Sequence, residues 1–280
     1  MESSIKRNYS NISYMFLIEY LQKSKKSVSY PTFMLEQLEK PSPTQLDTQY
    51  PIESVYQNLE LEYPNLYRNI CVEREASKPS VVLLTGLSGS GKDCVLQPLL
   101  DSKEAYHVVT ATSRERRVVK NEPETAYVWM RKRKKSETEE QYFGNLRNEY
   151  SLIENDYHYG NLYGLPLSAL TKSGEGIPVI RTDIKGVITL TDLLPSYGFQ
   201  TVSIGVLPDS WIQVYQAILE RGDDVDDARQ RLCEDFNNME LYVRNVNYFL
   251  HNSREADIDG CCGLDISIDA LRYLIKRYSS

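Results

Sequence analysis

The apolar positions of this chain change period along its length. Val81-Val82-Leu83-Leu84-Thr85 is a short, unbroken apolar and β-branched run, the pattern of a parallel strand buried on both faces. Tyr106-His107-Val108-Val109-Thr110, Pro178-Val179-Ile180 and Thr201-Val202-Ser203-Ile204-Gly205-Val206 read as further strands. Helical spacing appears elsewhere. Cys94 to Leu100 can start a helix right after the first strand. Val225 to Tyr248 places Ala228, Leu232, Phe236, Met239 and Val243 on one stripe, which predicts a single long helix. Asp223, Asp224, Asp226 and Asp227 crowd its start, where negative charge suits the helix dipole. Ile268, Leu271, Leu274, Ile275 and Tyr278 predict a closing amphipathic helix. Strands interleaved with helices predict an α/β layered domain.

Residues 1 to about 78 read differently. Ile12 to Lys23 and Pro31 to Leu38 are predicted helices, and Pro41-Ser42-Pro43-Thr44 is a breaker and linker. Pro51 to Leu59 and Leu66 to Val72 are predicted as further helices, interrupted at Pro64. No catalytic constellation falls here. The segment reads as a helical extension (1–78) packed on the main domain (79–280), with a partner-binding module as the alternative.

Composition narrows the class. The chain has 280 residues, 41% hydrophobic and 25% charged, with a net charge of −7. Those values fit a globular protein and argue against a dedicated nucleic-acid binder. Cys71, Cys94, Cys233, Cys261 and Cys262 have no metal-ligand spacing, and the vicinal pair is a poor structural disulfide, so a reducing cytoplasm is expected. The apolar run Tyr14 to Ile18 is too short to span a membrane, and no signal-peptide pattern surrounds it. Arg131-Lys132-Arg133-Lys134-Lys135 reads as a solvated basic loop.

The chemistry centres on Gly86-Leu87-Ser88-Gly89-Ser90-Gly91-Lys92. Strand, glycine-rich turn, lysine and helix together make a phosphate loop: glycines let the backbone N–H groups curl inward, and the helix N-terminus adds positive potential. Gly86, Ser88, Gly89, Ser90 and Gly91 are the candidate cradle, with Lys92 reaching the β- and γ-phosphates of ATP. A Ser or Thr is expected next, to bind Mg²⁺; here Asp93 follows. A carboxylate can ligate Mg²⁺ directly and also repels phosphate. Farther on, Thr110-Ala111-Thr112-Ser113-Arg114-Glu115-Arg116-Arg117 sets arginines beside hydroxyls, a pattern that clamps a phosphate.

In this order the motifs resemble the guanylate kinase family, over roughly residues 80 to 275. The resemblance implies a three-layer α/β P-loop fold with a mostly parallel sheet. It also implies a nucleotide-monophosphate insert at about 110–172, a lid at about 221–228, and transfer of the ATP γ-phosphate to GMP or dGMP with Mg²⁺. Thr110 matches the residue that bonds guanine, and Arg114 and Arg117 match those that hold the acceptor phosphate. Tyr127 and Tyr163, the latter in Gly160-Asn161-Leu162-Tyr163-Gly164, match the phosphate-binding tyrosines. Glu154 matches the carboxylate that accepts from guanine, and Asp183 the second aspartate of its motif. Arg221 opens the lid, Arg231 reaches the ATP phosphates, and Asn252 lies near adenine. Lys92, Arg221 and Arg231 are thus the implied catalytic cations.

The chain departs from the family at five places. Asp93 follows the loop lysine, and Arg181 stands where an aspartate is usual. Leu165 replaces a serine that touches the base, and Ala217 replaces a lid-helix arginine. The segment between Arg117 and Tyr127 is one residue longer. The leading reading is a GMP or dGMP kinase. The alternatives are a weakly catalytic domain that binds a nucleotide or phosphorylated partner, and a kinase for a modified guanylate.

Overall fold

The computed structural model describes residues 42–57, 59–116, 124–158, 161–171, 176–253 and 263–279. The helices expected at Ile12–Lys23 and Pro31–Leu38, the candidate Arg117, Gly160 and the Cys261-Cys262 pair lie outside the described residues.

The strand expected at 81–85 is the centre of the molecule. It runs Ser80–Gly86 (β3) and is buried at every position. Its alternate side chains enter two different cores: Val81 and Leu83 on one face, Val82 and Leu84 on the other. Each such apolar side chain contributes roughly 1.5–3 kcal/mol on burial. β3 is the middle of five parallel strands, β11 (Tyr248–His251), β10 (Gln200–Leu207), β3, β9 (Ile177–Arg181) and β4 (Ala105–His107), in that order. One face is covered by α2 (Lys92–Asp101) and α8 (Gly263–Ser279), whose Leu96, Leu99, Leu271 and Leu274 are fully or almost fully buried. The other carries α4 (Ile184–Leu193), α5 (Trp211–Glu220), α6 (Val225–Asn237) and α7 (Met239–Asn245). The result is the layered α/β fold that the strand pattern predicts, in the three layers that the resemblance implies.

Several elements differ from the expected pattern. The single helix read over Val225 to Tyr248 is two helices that meet at Asn238, and Tyr248 starts β11. Tyr248-Phe249-Leu250 is an apolar run buried on the sheet, and the helical stripe had absorbed its first residue. The helix expected at Leu66 to Val72 is instead β2 (Leu66–Arg68), antiparallel to β11 and paired with β1 (Glu60–Tyr63). Backbone pairing to the exposed edge of β11 outweighs local preference here. Among the described residues of Pro51 to Leu59, only Ile52–Val55 is helical, as a single 3₁₀ turn.

Ahead of these strands, where a breaker and linker was expected, Ser42 instead caps α1 (Pro43–Gln49), whose first turn tolerates Pro43. Leu46, Ile52, Val55 and Tyr56 are buried in the same core as α5 and α6. Asp47 accepts hydrogen bonds from the Trp211 and Ile212 amides at 2.6 and 3.1 Å, so it caps α5 from outside the helix. Trp211 Nε1 donates to the Tyr50 carbonyl at 2.9 Å.

A second, four-stranded sheet stands apart in order β6 (Val128–Trp129), β5 (Ala111–Thr112), β8 (Asn161–Pro166), β7 (Leu152–His158). Ala111 and Leu162 face α3 (Glu139–Glu149), where they pack with Tyr142 and Leu146. The basic run beside it is not wholly solvated. Arg131 binds both Glu137 oxygens at 2.8 and 2.9 Å and Glu149 at 2.9 Å, tying the loop to both ends of α3.

Candidate functional site: a phosphate loop and an aromatic–arginine cluster

The loop between β3 and α2 curls as its glycines allow. Gly86, Gly89 and Gly91 all have positive φ. Gly91, at φ +84°, is the residue from which α2 starts, and a methyl there would come within 2.5 Å of Asn252 Nδ2. That amide donates to the Ser90 carbonyl at 2.8 Å. Ser90 Oγ and Asn252 Oδ1 are buried without a hydrogen-bond partner, two polar atoms at the loop left for a ligand or water to satisfy. A methyl at Gly89 would come within 2.7 Å of Ala217 Cβ, so α5 presses its Ala217 against the loop. The small residue at 217, read from sequence as a missing cation, is what lets helix and loop approach.

Lys92 folds back over the loop. Its Nζ donates to the Gly86 and Leu87 carbonyls, both at 2.8 Å. Burial lowers its pKa to about 8; Asp235 and Asp93 oppose that shift, and Arg221 and Arg181 add to it. Those causes bring five charged groups into one cluster. Asp235 was not foreseen. It lies on α6, four residues after Arg231, and its Oδ2 accepts the Ser88 amide at 2.7 Å. Burial pushes its carboxyl above the usual range, while the Ser88 hydrogen bonds and Lys92 pull it back.

Arg221 is the C-cap residue of α5, and the turn continues through Gly222 at φ +88°. Arg231 projects from α6 and pairs with Asp223 at 3.1 Å. Asp183 is the N-cap of α4; its side chain accepts the Gly186 amide at 2.7 Å.

The acceptor candidates gather on the smaller sheet. The Arg114 guanidinium lies 5.4 Å from the Tyr127 ring centre and 5.5 Å from that of Trp129. Tyr127 and Tyr163 meet edge-on at 6.1 Å. Thr112, fully buried, pairs across the strands with Tyr163, and its Oγ1 accepts the Arg114 amide at 3.1 Å. An arginine set between the rings of Tyr127 and Trp129, with Tyr163 meeting Tyr127 beside it, is a planar donor suited to a phosphate. Trp129 escaped sequence reading because it carries no ligating group. Thr110 enters this sheet through its carbonyl, which accepts the Val128 amide at 2.9 Å. Glu154 lies on β7 opposite Leu165. Leu165 itself is buried in the main core with Val108, Ala169 and Leu170, so packing accounts for its apolar character.

Among the described residues, those at the phosphate loop do not form a protein seat for Mg²⁺. Arg181 ends β9, beside Leu84 of β3, and its Nη1 donates to the Asp93 carboxylate. The one carboxylate expected to ligate metal is therefore neutralised by a guanidinium. Among the described residues no group of three or more His, Cys, Asp or Glu side chains could hold a metal ion. No helix among them is long and apolar enough to cross a membrane.

No family model matches the chain. Curated relatives do. It is 26% identical over 180 residues to the guanylate kinase of Clostridium acetobutylicum, covering 63% of this chain and 79% of that protein. It is 29% identical over 175 residues to that of Mycoplasmoides gallisepticum, covering 59% and 83%. Guanylate kinase 2, chloroplastic/mitochondrial, of Oryza sativa subsp. japonica is 27% identical over 187 residues, covering 65% of this chain but 61% of its own length. Among solved structures, guanylate kinase from Anaplasma phagocytophilum aligns over 72% of this chain and 87% of its own, with a TM-score of 0.46 and 18% identity. Several guanylate kinases thus match over more than half of its length, and the chain is similar to the guanylate kinase family as a divergent relative.

Proposed function

We propose that the chain transfers the γ-phosphate of ATP to GMP or dGMP. The observation that carries the reading is the phosphate loop. Its Lys92 is buried, bonded back onto two loop carbonyls and surrounded by Arg221 and Arg181. The matched relatives named as guanylate kinases support the acceptor. In this reading the four-stranded sheet is the acceptor insert, about 110–172, and the turn after α5, about 221–228, is the lid. Residues 79–280 form the kinase domain, and residues 1–78 precede it. A cytoplasmic location fits an ATP-dependent enzyme with free thiols at Cys71, Cys94 and Cys233.

Each cluster then has a task. Lys92 leaves the loop carbonyls and meets the β- and γ-phosphates, joined by Arg221 and, once released from Asp223, Arg231. Arg114, Tyr127 and Tyr163 fix the acceptor phosphate, with Arg117 as a further expected contact. Glu154 accepts from the guanine N1–H and 2-amino group, and Thr110 contributes to the base. Asn252 sets the loop through Ser90, and Asp183 holds the start of α4. The acceptor phosphate is already an anionic nucleophile, so no general base is required. Charge compensation and alignment supply the rate.

The test is coupled ADP release with GMP, dGMP and the other monophosphates, beside Lys92→Ala. Turnover with a guanylate that vanishes in the variant supports the reading. Binding of GMP without turnover would make the domain a recognition module and refute it.

A further inference from the structure

Two departures from the family, 88 residues apart in sequence, touch in the structure. Asp93 stands where a hydroxyl is usual and Arg181 where a carboxylate is usual, and they form an ion pair at the rim of the phosphate loop. The Arg181 guanidinium is fixed at a second point, since its Nε donates to His107 Nε2 at 3.0 Å. His107 therefore accepts this bond at Nε2. The Nη2 amine of Arg181 has no hydrogen bond to protein among the described residues. Two of three nitrogens are thus held, and the third is available at the loop mouth. The side chain is 41% exposed and reachable by a ligand. Arg181 and Asp93 both act on the Lys92 ammonium, which places them in the field a triphosphate would enter.

The charges around that position are Lys92, Arg181 and Arg221 against Asp93 and Asp235, three cationic and two anionic. A seat built for a divalent cation collects carboxylates and excludes guanidinium. This one is the reverse, because its carboxylate is neutralised and a fixed cation is added. We propose that Arg181, held by Asp93 and His107, takes the place of a protein-ligated divalent cation beside the phosphate loop, so that this chain binds ATP without a divalent metal. An arginine suits the role, because its planar fork meets phosphate oxygens in pairs and stays charged. Asp93 then works as a positioning residue that orients Arg181, and its charge is offset before any phosphate arrives. The inference rests on ATP being the donor, as proposed above.

The experiment is calorimetric titration of the full chain with ATP, once in excess EDTA and once in excess Mg²⁺. The expected dissociation constants differ by less than about threefold. Arg181→Gln is expected to weaken binding in EDTA by about tenfold or more, the effect of removing one unit charge near the phosphates at an intermediate dielectric. In Mg²⁺ it should weaken binding much less; an arginine with only a structural role would weaken both alike, and that result would overturn the assignment. The double variant Asp93→Ser/Arg181→Asp restores a hydroxyl and a carboxylate, and is expected to need Mg²⁺ for binding by about tenfold or more. The pair is exposed, so both variants should melt close to wild type, which a thermal scan checks. Wild-type binding that is lost in EDTA and present in Mg²⁺ would overturn this inference and leave the kinase reading standing. Absence of ATP binding in both conditions would overturn both.

Discussion

Raising the pH should weaken ATP binding through one residue. Lys92 is lowered to about 8 in the free protein, because burial disfavours its charge. Its ordinary value is 10.5. A bound triphosphate supplies the anionic partner the ammonium lacks and returns the pKa toward that ordinary value. Binding then favours the protonated lysine, and affinity falls as pH rises through the free-state pKa. At pH 7 about nine-tenths of the free protein carries the proton; at pH 9.5 only about 3% does. Returning the pKa fully on binding gives an affinity loss of about 25-fold between those two values, or about 2 kcal/mol. The terminal phosphoryl group, with its last pKa near 6, is essentially fully ionised at pH 8.5, so its own titration adds little to the protons counted there. The assay is calorimetry at pH 8.5 in buffers of different ionisation enthalpy, which counts protons directly. We expect about three-quarters of a proton taken up per ATP bound. Lys92→Arg, charged throughout, should show no uptake and a flat profile. Wild-type affinity that stays constant from pH 7 to 9.5, with no proton uptake, would refute the account of Lys92.

Three further outcomes follow from the packing and the clusters. Ala217→Arg, which restores the usual residue of the family, should cost about 3 kcal/mol or more in urea unfolding, because the site is buried against Gly89. A variant that keeps its stability and gains turnover would contradict this. Leu165→Ser should lose about 2–4 kcal/mol by leaving a cavity in the main core, with little change in the preference among monophosphates. A switch in base preference at unchanged stability would make residue 165 a base contact instead. Arg114→Ala should raise KM for GMP about tenfold or more and leave ATP affinity unchanged, since its guanidinium sits among the aromatic rings of the smaller sheet. Steady-state kinetics with each substrate varied in turn would separate the two effects.

How far the sequence reveals this molecule depends on the range of the interaction. The phosphate loop is legible because its determinants are contiguous: a buried strand, glycines that take positive φ, a lysine and a helix start. The two-faced burial of β3 is legible in the same way, from an unbroken apolar run. Other features depend on partners far along the chain. Glu60-Leu61-Glu62-Tyr63 becomes a strand only because β2 lies beside it, and β2 because it pairs with β11 from about 180 residues later. The stripe through Val225 to Val243 continues in phase across Asn238, so nothing in the period marks the break. Asp235 is one carboxylate among many on an acidic helix until the fold brings it to the Ser88 amide. Asp93 and Arg181 each look like a defect when read alone, and only their contact shows that one offsets the other.

The segment ahead of the phosphate loop bears on how the molecule must be made. A boundary drawn at residue 78 follows the family motif but cuts through a shared sheet. Removing residues before it would strip β2 from β11 and leave a row of unpaired N–H and C=O groups on an apolar strand, a template for pairing with another chain. It would also uncover the amides of Trp211 and Ile212 that Asp47 now caps, loosening the helix that ends at Arg221. The minimal fragment would therefore expose groups that the longer chain covers, and poor solubility of that fragment would say nothing about the chemistry of the loop.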